Sequence, residues 1–335
     1  MRRKLHVTVL VDAAEITDDD PNFEAQPENP TTEYHVIETL RELGHDVSVL
    51  GAVSDIGTIA GTLTEQNPDL VFNLTEAFEG DRTQDKNIAA LLEMIGFPFT
   101  GTGAAGLLLC RDKRLCKELL SLHKIRVPSF FSLPIGHKIP IAKTVRYPLV
   151  VKPALEDSSE GISNASLVNN SAELQERARF MHERWQQPAI AEEYIEGREL
   201  YVSILGNKRL TVLPPRECYF DSDNGAGPQL ATYRVKWNEQ YRKKWNIRFG
   251  FAELDPATLN NTGHVCKKVF RVLQLRDYGR IDLRLTHDNK VVILEANPNP
   301  DLAYGEEVAE AAEKSGLTYE MLIDRIIHIA LRRYK

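Results

Sequence analysis

The chain has 335 residues, 42% of them hydrophobic and 27% charged, with a formal net charge of −7. That length exceeds what one core usually serves, so two or three domains are expected, and the acidic balance offers no global attraction to nucleic acid or an anionic membrane. Four cysteines without a C-x-x-C pair read as reduced thiols of a cytoplasmic protein, and no apolar run reaches transmembrane length.

From the start the pattern alternates. LHVTVLV reads as a strand, TEYHVIETLRELGH as a helix, DVSVLGA as a strand, residues 57–66 as a weaker helix, DLVFNL as a strand, KNIAALLEMIG as a helix and FPFTG as a short strand. Such alternation predicts a parallel sheet covered by helices, an α/β domain over residues 1–103. The charged start before LHVTVLV lacks a cleavage pattern, so this segment is taken as the first strand rather than a signal peptide. AAGLLLCRDKRLCKELLSLHK then reads as one helix, followed by strands VPSFFSL and YPLVVKP, a helix over SAELQERARFMHERW, and strands PAIAEEYI and RELYVSILGN. These form a second unit over 104–212. Beyond Pro214 and Pro215, DSDNGAGPQLATYRVKWNEQYRKKW has no clean period and reads as a lid within 219–250. A helix near 256–276, a hairpin and a final helix over TYEMLIDRIIHIALRR complete an α+β third unit, 213–335.

The hairpin is GRIDLRLTHDNKVVILEANPNP, residues 279–300. With Asp288 and Asn289 as a two-residue turn, Asp282 faces Glu295 and Arg280 faces Asn297. Period-two alternation puts these four on one face and Ile281, Leu283, Leu294 and Ala296 on the other. Carboxylates directly opposite one another repel, and a divalent cation such as Mg²⁺, which takes carboxylate and amide oxygens, would relieve them. The plainer alternative is a solvated polar face with Arg280 and Arg284 as counter-charges.

GTGAAG, residues 101–106, matches G-x-G-x-x-G before a helix. No acidic residue ends a second strand at the required distance, so it reads as a glycine turn rather than a dinucleotide site. No G-x-x-x-x-G-K-[ST] occurs either. A nucleotide site is offered instead by LVVKPALEDSSEGIS, 149–163, where a strand delivers Lys152 and the DSSEG loop presents hydroxyls and backbone N–H groups. Some forty residues on, AIAEEYIEGREL places Glu192 and Glu199 around a strand and a turn, a spacing compatible with an adenine hinge followed by a ribose contact. Each string alone is weak.

In order and spacing, FPFTGTGAAG, CRDK, VVKPALEDSSEG, AEEYIEGREL, GRIDLRL and LEANPNP resemble the ATP-grasp superfamily, specifically its D-alanine-D-alanine ligase branch. The resemblance implies an α/β architecture of three domains, with an N-terminal parallel-sheet domain and ATP clamped between the other two. It implies ATP contacts from Lys113 and Lys152, an adenine hinge at Glu192, Tyr194 and Ile195, a ribose ligand at Glu199, and a phosphate loop at Ser158, Ser159 and Gly161. It further implies a closing-loop contact from Lys236, Mg²⁺ ligands at Asp282, Glu295 and Asn297 for two ions, with Mn²⁺ as an alternative metal, and a transition-state arginine at Arg280. Relatives of this kind are commonly homodimers. The implied reaction passes the ATP γ-phosphate to a substrate carboxylate and lets an amine, such as that of an amino acid, displace phosphate. Arg280 speaks for catalysis over an ATP-binding module; a small-molecule kinase with the same clamp stays open.

The substrate end departs from that branch. VLVDAAEITDDDPNF stands where a glycine-rich loop with Ser and Glu is expected, and Glu15 is not carried over. Asp157 replaces the glycine before the two serines. Glu76 falls near the family's histidine, NPNPDL replaces N-T-S-P-G-M, and Glu306 aligns with the substrate serine. These changes imply a different acid or amine, and Glu76 with Glu306 would favour a cationic partner.

Overall fold

A computed structural model describes residues 3–12, 31–52, 55–137, 146–156, 161–220 and 230–335. Strand β1 (His6–Val11) is aliphatic without alternation, as a strand covered on both faces requires. It runs parallel to β2 (Asp46–Gly51) on one side and β3 (Leu70–Asn73) on the other. Helix α1 (Thr32–Glu42) connects β1 to β2, and α2 (Ile56–Gln66) connects β2 to β3. The hydroxyl of Thr31 and the carboxylate of Asp55 accept the first free N–H groups of these helices, Tyr34 and Gly57. Helix α3 (Asp85–Ile95) ends on Gly96 in the left-handed region. FPFTG makes only an isolated parallel bridge, Val71 to Phe99, because the chain turns away at Gly101 with φ +90°.

The long helix expected after this turn is broken. Asp112 adopts extended backbone between α4 (Ala104–Arg111) and α5 (Lys113–Leu122), its carboxylate capping Leu115 N–H. Lys113 N–H, freed by the break, donates to Ala154 C=O at 3.1 Å. A tertiary bond thus replaces a helical one and ties the first turn of α5 to the chain just after Pro153.

The middle of the chain builds an antiparallel sheet in the order β4 (Phe130–Leu133), β7 (Ala189–Glu193), β5 (Leu149–Pro153), β6 (Leu167–Val168). Helix α6 (Ser171–Trp185) covers it with Leu174, Ala178 and Met181, a seven-residue helical stripe. A larger antiparallel sheet has β8 (Arg198–Gly206) between β10 (Arg216–Tyr219) and β12 (Tyr278–Leu285). The strands β9 (Leu210–Val212), β11 (Arg248–Phe251) and β13 (Val291–Pro298) flank these. Helix α9 (Pro256–Val272) buries Cys266, Val269 and Phe270 against this sheet. Short helices α7 (Tyr233–Trp237) and α8 (Glu239–Lys244) lie in the segment read as a lid, whose residues 221–229 lie outside the described set. Helices α10 (Glu307–Lys314) and α11 (Tyr319–Leu331) close the chain, and Leu322, Ile323, Ile326 and Ile327 share one core with Val7, Val9 and Phe72 of the first sheet. No helix among the described residues is long and apolar enough to cross a membrane.

The N-terminal sheet and the large sheet are joined through Asp277, which is fully buried. Its carboxylate accepts from Gly101 N–H and Asn207 Nδ2, both at 2.8 Å, and pairs with Arg333 at 3.1 Å. The glycines of GTGAAG serve this junction. A Cβ on Gly101 would stand 2.5 Å from Asn299 Oδ1, and one on Gly106 would stand 2.8 Å from Gln274 C=O. Replacing Asp277 with Ala takes from Arg333 its carboxylate, although its bonds to the Phe99 and Gly101 carbonyls stay, and leaves buried Gly101 N–H without its acceptor, so Asp277→Ala should lower unfolding free energy by about 2–4 kcal/mol. Asp277→Asn, which keeps an acceptor, should cost less. Urea denaturation of both variants measures the difference.

Candidate active site

The register of the hairpin decides which side chains share its outer face. The structure pairs Asp282 with Glu295 and Arg280 with Asn297, but not through the expected turn. The loop holds three residues, His287 to Asn289, closed by Thr286 and Lys290, with Asn289 at φ +57°. That extra turn residue offsets the ladder by one, and a β-bulge after Asp282 restores it. The bulge also corrects the inner face: Leu294 is only partly buried, and Ile293 joins Ile281, Leu283 and Ala296 in the core. Bulging turns the Leu294 carbonyl to Lys117 Nζ.

The outer face is not a solvated one. Arg280, Asp282 and Arg284 are each under a tenth exposed. Arg280 grips Asp282 with two bonds, Nε to Oδ1 at 2.8 Å and Nη2 to Oδ2 at 3.2 Å, and reaches Glu307 at 3.1 Å. Burial disfavours the guanidinium charge, but Asp282 and Glu307 outweigh it and raise the Arg280 pKa. Across the ladder, Lys113 Nζ stands 3.1 Å from Glu295, and Lys236 Nζ stands 3.8 Å from Asp282. Burial would raise the Glu295 pKa, yet Lys113, Lys152 and Lys236 hold it down at about 2. Each facing carboxylate therefore has a protein cation.

A second network lies behind the first. Glu192 on β7 binds Lys152 of β5 at 2.8 Å and Lys117 of α5 at 3.2 Å. Lys117 was not singled out by sequence, although it follows Lys113 by one helical turn and so shares its face. Its burial lowers the ammonium pKa, opposed chiefly by Glu192. Glu199, read as a ribose ligand, is bound instead by Arg284 at 2.5 Å and Tyr201 at 2.9 Å. Tyr194 lies beside the same guanidinium, 5.7 Å from ring centroid to Cζ, and Ile195 is buried next to it. Gly161 sits at φ +72°, where a Cβ would meet the Pro153 ring at 2.7 Å. Ser158 and Ser159 lie outside the described residues.

Beside Arg280, Lys236 and Asn297 opens a cavity of about 690 Å³. Glu76, Asp301, Glu306 and Glu307 also line it. Two wall pairs escaped the sequence reading, Arg111–Asp85 at 2.6 Å and buried Arg216 with Glu310. Single arginines in helices and strands carry no spacing signal that marks them as wall residues. Among the described residues the Nδ2 atom of Asn297 is buried without a partner, a donor open to an acceptor. The carboxylates of Asp282 and Glu295 and the amide oxygen of Asn297 are of the type that a hard cation takes.

Because the Glu295 carboxyl titrates near 2 when folded and near its ordinary 4.5 when unfolded, its pairs stabilise the protein above about pH 4.5. That contribution fades as pH falls toward 2. Glu295→Gln should lower the unfolding midpoint at pH 7, and the gap to the parent protein should narrow at pH 3. Thermal unfolding at both pH values, without added metal, checks the sign.

The model of the family described as D-ala D-ala ligase C-terminus matches residues 133–328. The uncharacterized protein y4sG of Sinorhizobium fredii is 32% identical, over 89% of this chain and 87% of its own. A D-alanine--D-alanine ligase of Aquifex aeolicus is 28% identical, over 87% and 92%. The crystal structure of a D-alanine--D-alanine ligase from Bacillus anthracis complexed with ATP superposes with a TM-score of 0.73 over 98% of both chains, at 19% identity. That overlay shows the shared ATP-grasp fold. The chain belongs to the D-ala D-ala ligase family and is an ATP-dependent ligase that forms a C–N bond.

Proposed function

We propose that this ligase activates a small carboxylate, in the simplest case an amino acid, as its acylphosphate and joins it to an amine, releasing ADP and phosphate. The observation that carries the reading is the buried hairpin face, where Arg280, Asp282, Glu295 and Asn297 stand together with Lys113, Lys152 and Lys236 nearby. The pairing of Asp282, Glu295 and Glu192 with protein cations supports Mg²⁺-bound ATP as the ligand. Asp282, Glu295 and Asn297 would hold the divalent ion, which supplies charge neutralisation for the β- and γ-phosphates. Lys113, Lys152 and Lys236 would then turn from their carboxylates to the triphosphate.

The rest of the chemistry belongs to side chains and substrates. Lys152, at the end of β5, would hold the α- and β-phosphates as a point charge, and Glu192 would pass from its lysine partner to the adenine edge. Arg280 would stabilise charge on the phosphoryl group as a carboxylate oxygen attacks phosphorus and ADP leaves. The amine nitrogen then attacks the acyl carbon, the C–O bond to phosphate breaks, and the amine proton passes to solvent. Tyr194, Ile195, Glu199, Gly161, Ser158 and Ser159 complete the nucleotide site in this reading, and Glu199 reaches ribose only by releasing Arg284.

The relatives named for D-alanine make D-alanine the first substrate to try. Glu76 and Glu306, which line the cavity, argue for another pair. Screening amino acids and small carboxylates in pairs for ADP and phosphate release, with mass spectrometry of products, tests the reaction. ADP release without an amine and without free phosphate would instead indicate a kinase. Arg280→Met should lower kcat by about 10²–10³ while ATP KM changes only a few-fold. Equal losses in ATP binding and turnover would place Arg280 in ground-state binding.

A further inference from the structure

Arg284 is the last of the charged residues that alternate with Arg280 and Asp282 along the outer face of β12. At about 3.3 Å per residue it stands roughly 7 Å beyond Asp282 and roughly 13 Å beyond Arg280, at the end of the strand that faces the hinge residue Tyr194. The ladder sets it directly opposite Glu199 of β8, so register alone brings the two side chains together on one face. Arg284 Nη2 donates to Glu199 Oε2 at 2.5 Å, and the Tyr201 hydroxyl donates to Oε1 at 2.9 Å. Both oxygens of the carboxylate are engaged. The other arm of the guanidinium is fixed as well: Nη1 donates to Gly197 C=O at 2.9 Å, and Cζ lies 5.7 Å from the Tyr194 ring centroid and 5.9 Å from that of Phe220. The side chains of Arg284 and Glu199 are only 4% and 8% exposed.

This pair differs from its neighbours in what a nucleotide can offer in exchange. Glu295 and Glu192 are held by lysines, and a lysine that gives up its carboxylate beside a triphosphate meets another anion. The nucleoside end of ATP is neutral. Were Glu199 to turn to the ribose, Arg284 would be left as a buried guanidinium with no anion, and a neutral hydroxyl returns less than the stranded charge loses. The cross-strand pair is therefore the more stable arrangement with the nucleoside in place.

We infer that Arg284 determines sugar specificity: it keeps Glu199 when Mg²⁺-bound nucleotide enters, the 2′- and 3′-hydroxyls go unread, and this ligase takes adenosine and deoxyadenosine triphosphates alike. The assignment rests on the nucleotide site of the ligase reading above and changes one role in it. Glu199 serves as the counter-ion of Arg284 and not as a ribose ligand.

Calorimetry on the full chain with Mg²⁺ tests this by comparing ATP with 2′,3′-dideoxy-ATP, which lacks both hydroxyls. No acid or amine is added, so the result does not depend on which pair the enzyme joins. In the parent protein the two dissociation constants should agree within about threefold, whereas a hydroxyl read by a carboxylate would favour ATP by about tenfold or more. Arg284→Met should release Glu199 to the sugar and raise the preference for ATP to about tenfold. Glu199→Gln should leave the ratio as it is in the parent, and it carries the test should circular dichroism show that Arg284→Met does not fold. A parent preference above the threefold limit overturns the assignment, whether or not Glu199→Gln removes it, and so does an unchanged ratio in folded Arg284→Met. Failure of the parent protein to take up either nucleotide would overturn the nucleotide site and the sugar assignment together, whereas tight binding with strong sugar discrimination would overturn the sugar assignment alone.

Discussion

Two carboxylates facing each other across a buried antiparallel ladder are the constraint around which this molecule is arranged. Asp282 and Glu295 cannot share that position unless positive charge reaches both from outside the hairpin. Arg280 serves one from the same strand, but Lys113 comes from a helix some 170 residues earlier and Lys236 from the segment beyond the proline pair. The three parts of the chain meet here because electrostatics require them to. Breaking the long helix at Asp112 is what frees Lys113 for this purpose, since its backbone N–H is tied to Ala154 rather than to the preceding turn.

The same arrangement prepares the site for a polyanion. Each lysine that would contact ATP is held at low exposure by a carboxylate that can be exchanged for phosphate or for a metal ion. Glu192 holds two ammonium groups at once, and burial depresses one of them while favouring neither as free charge. Preformed positions of this kind lower the reorganisation needed when nucleotide enters, because the side chains are already ordered and already desolvated. Glu199 is held in the same way, its buried carboxylate paired with the Arg284 guanidinium.

The residues that line the cavity come from two kinds of element. The phosphoryl end of the cavity is built from strand residues whose positions the sheet dictates, whereas Asp301, Glu306 and Glu307 come from the turn after β13 and the start of α10. Loops and helix starts can change side chains without disturbing the ladder. In the proposed reading, the chemistry of activation and the choice of amine would therefore be separable.

What the sequence determined by itself was the order of elements, the parallel start, and the four residues of the outer hairpin face, because strand period and β/α alternation are local properties. Lys152, Glu192 and Lys236 were also legible, through the order of their motifs. The hairpin shows the limit: its turn is one residue longer than read, and a bulge at Leu294 cancels the offset, so the correct pairing of Asp282 with Glu295 came from two departures of opposite sign. A bulge has no signature in a run of aliphatic residues. Only the tertiary structure decided that Lys117 joins Glu192, that Arg111 pairs with Asp85, that the helix breaks at Asp112, and that Arg284 holds Glu199. Those outcomes depend on which charged groups are brought within a few ångströms inside a low-dielectric interior, and no spacing along the chain encodes that distance.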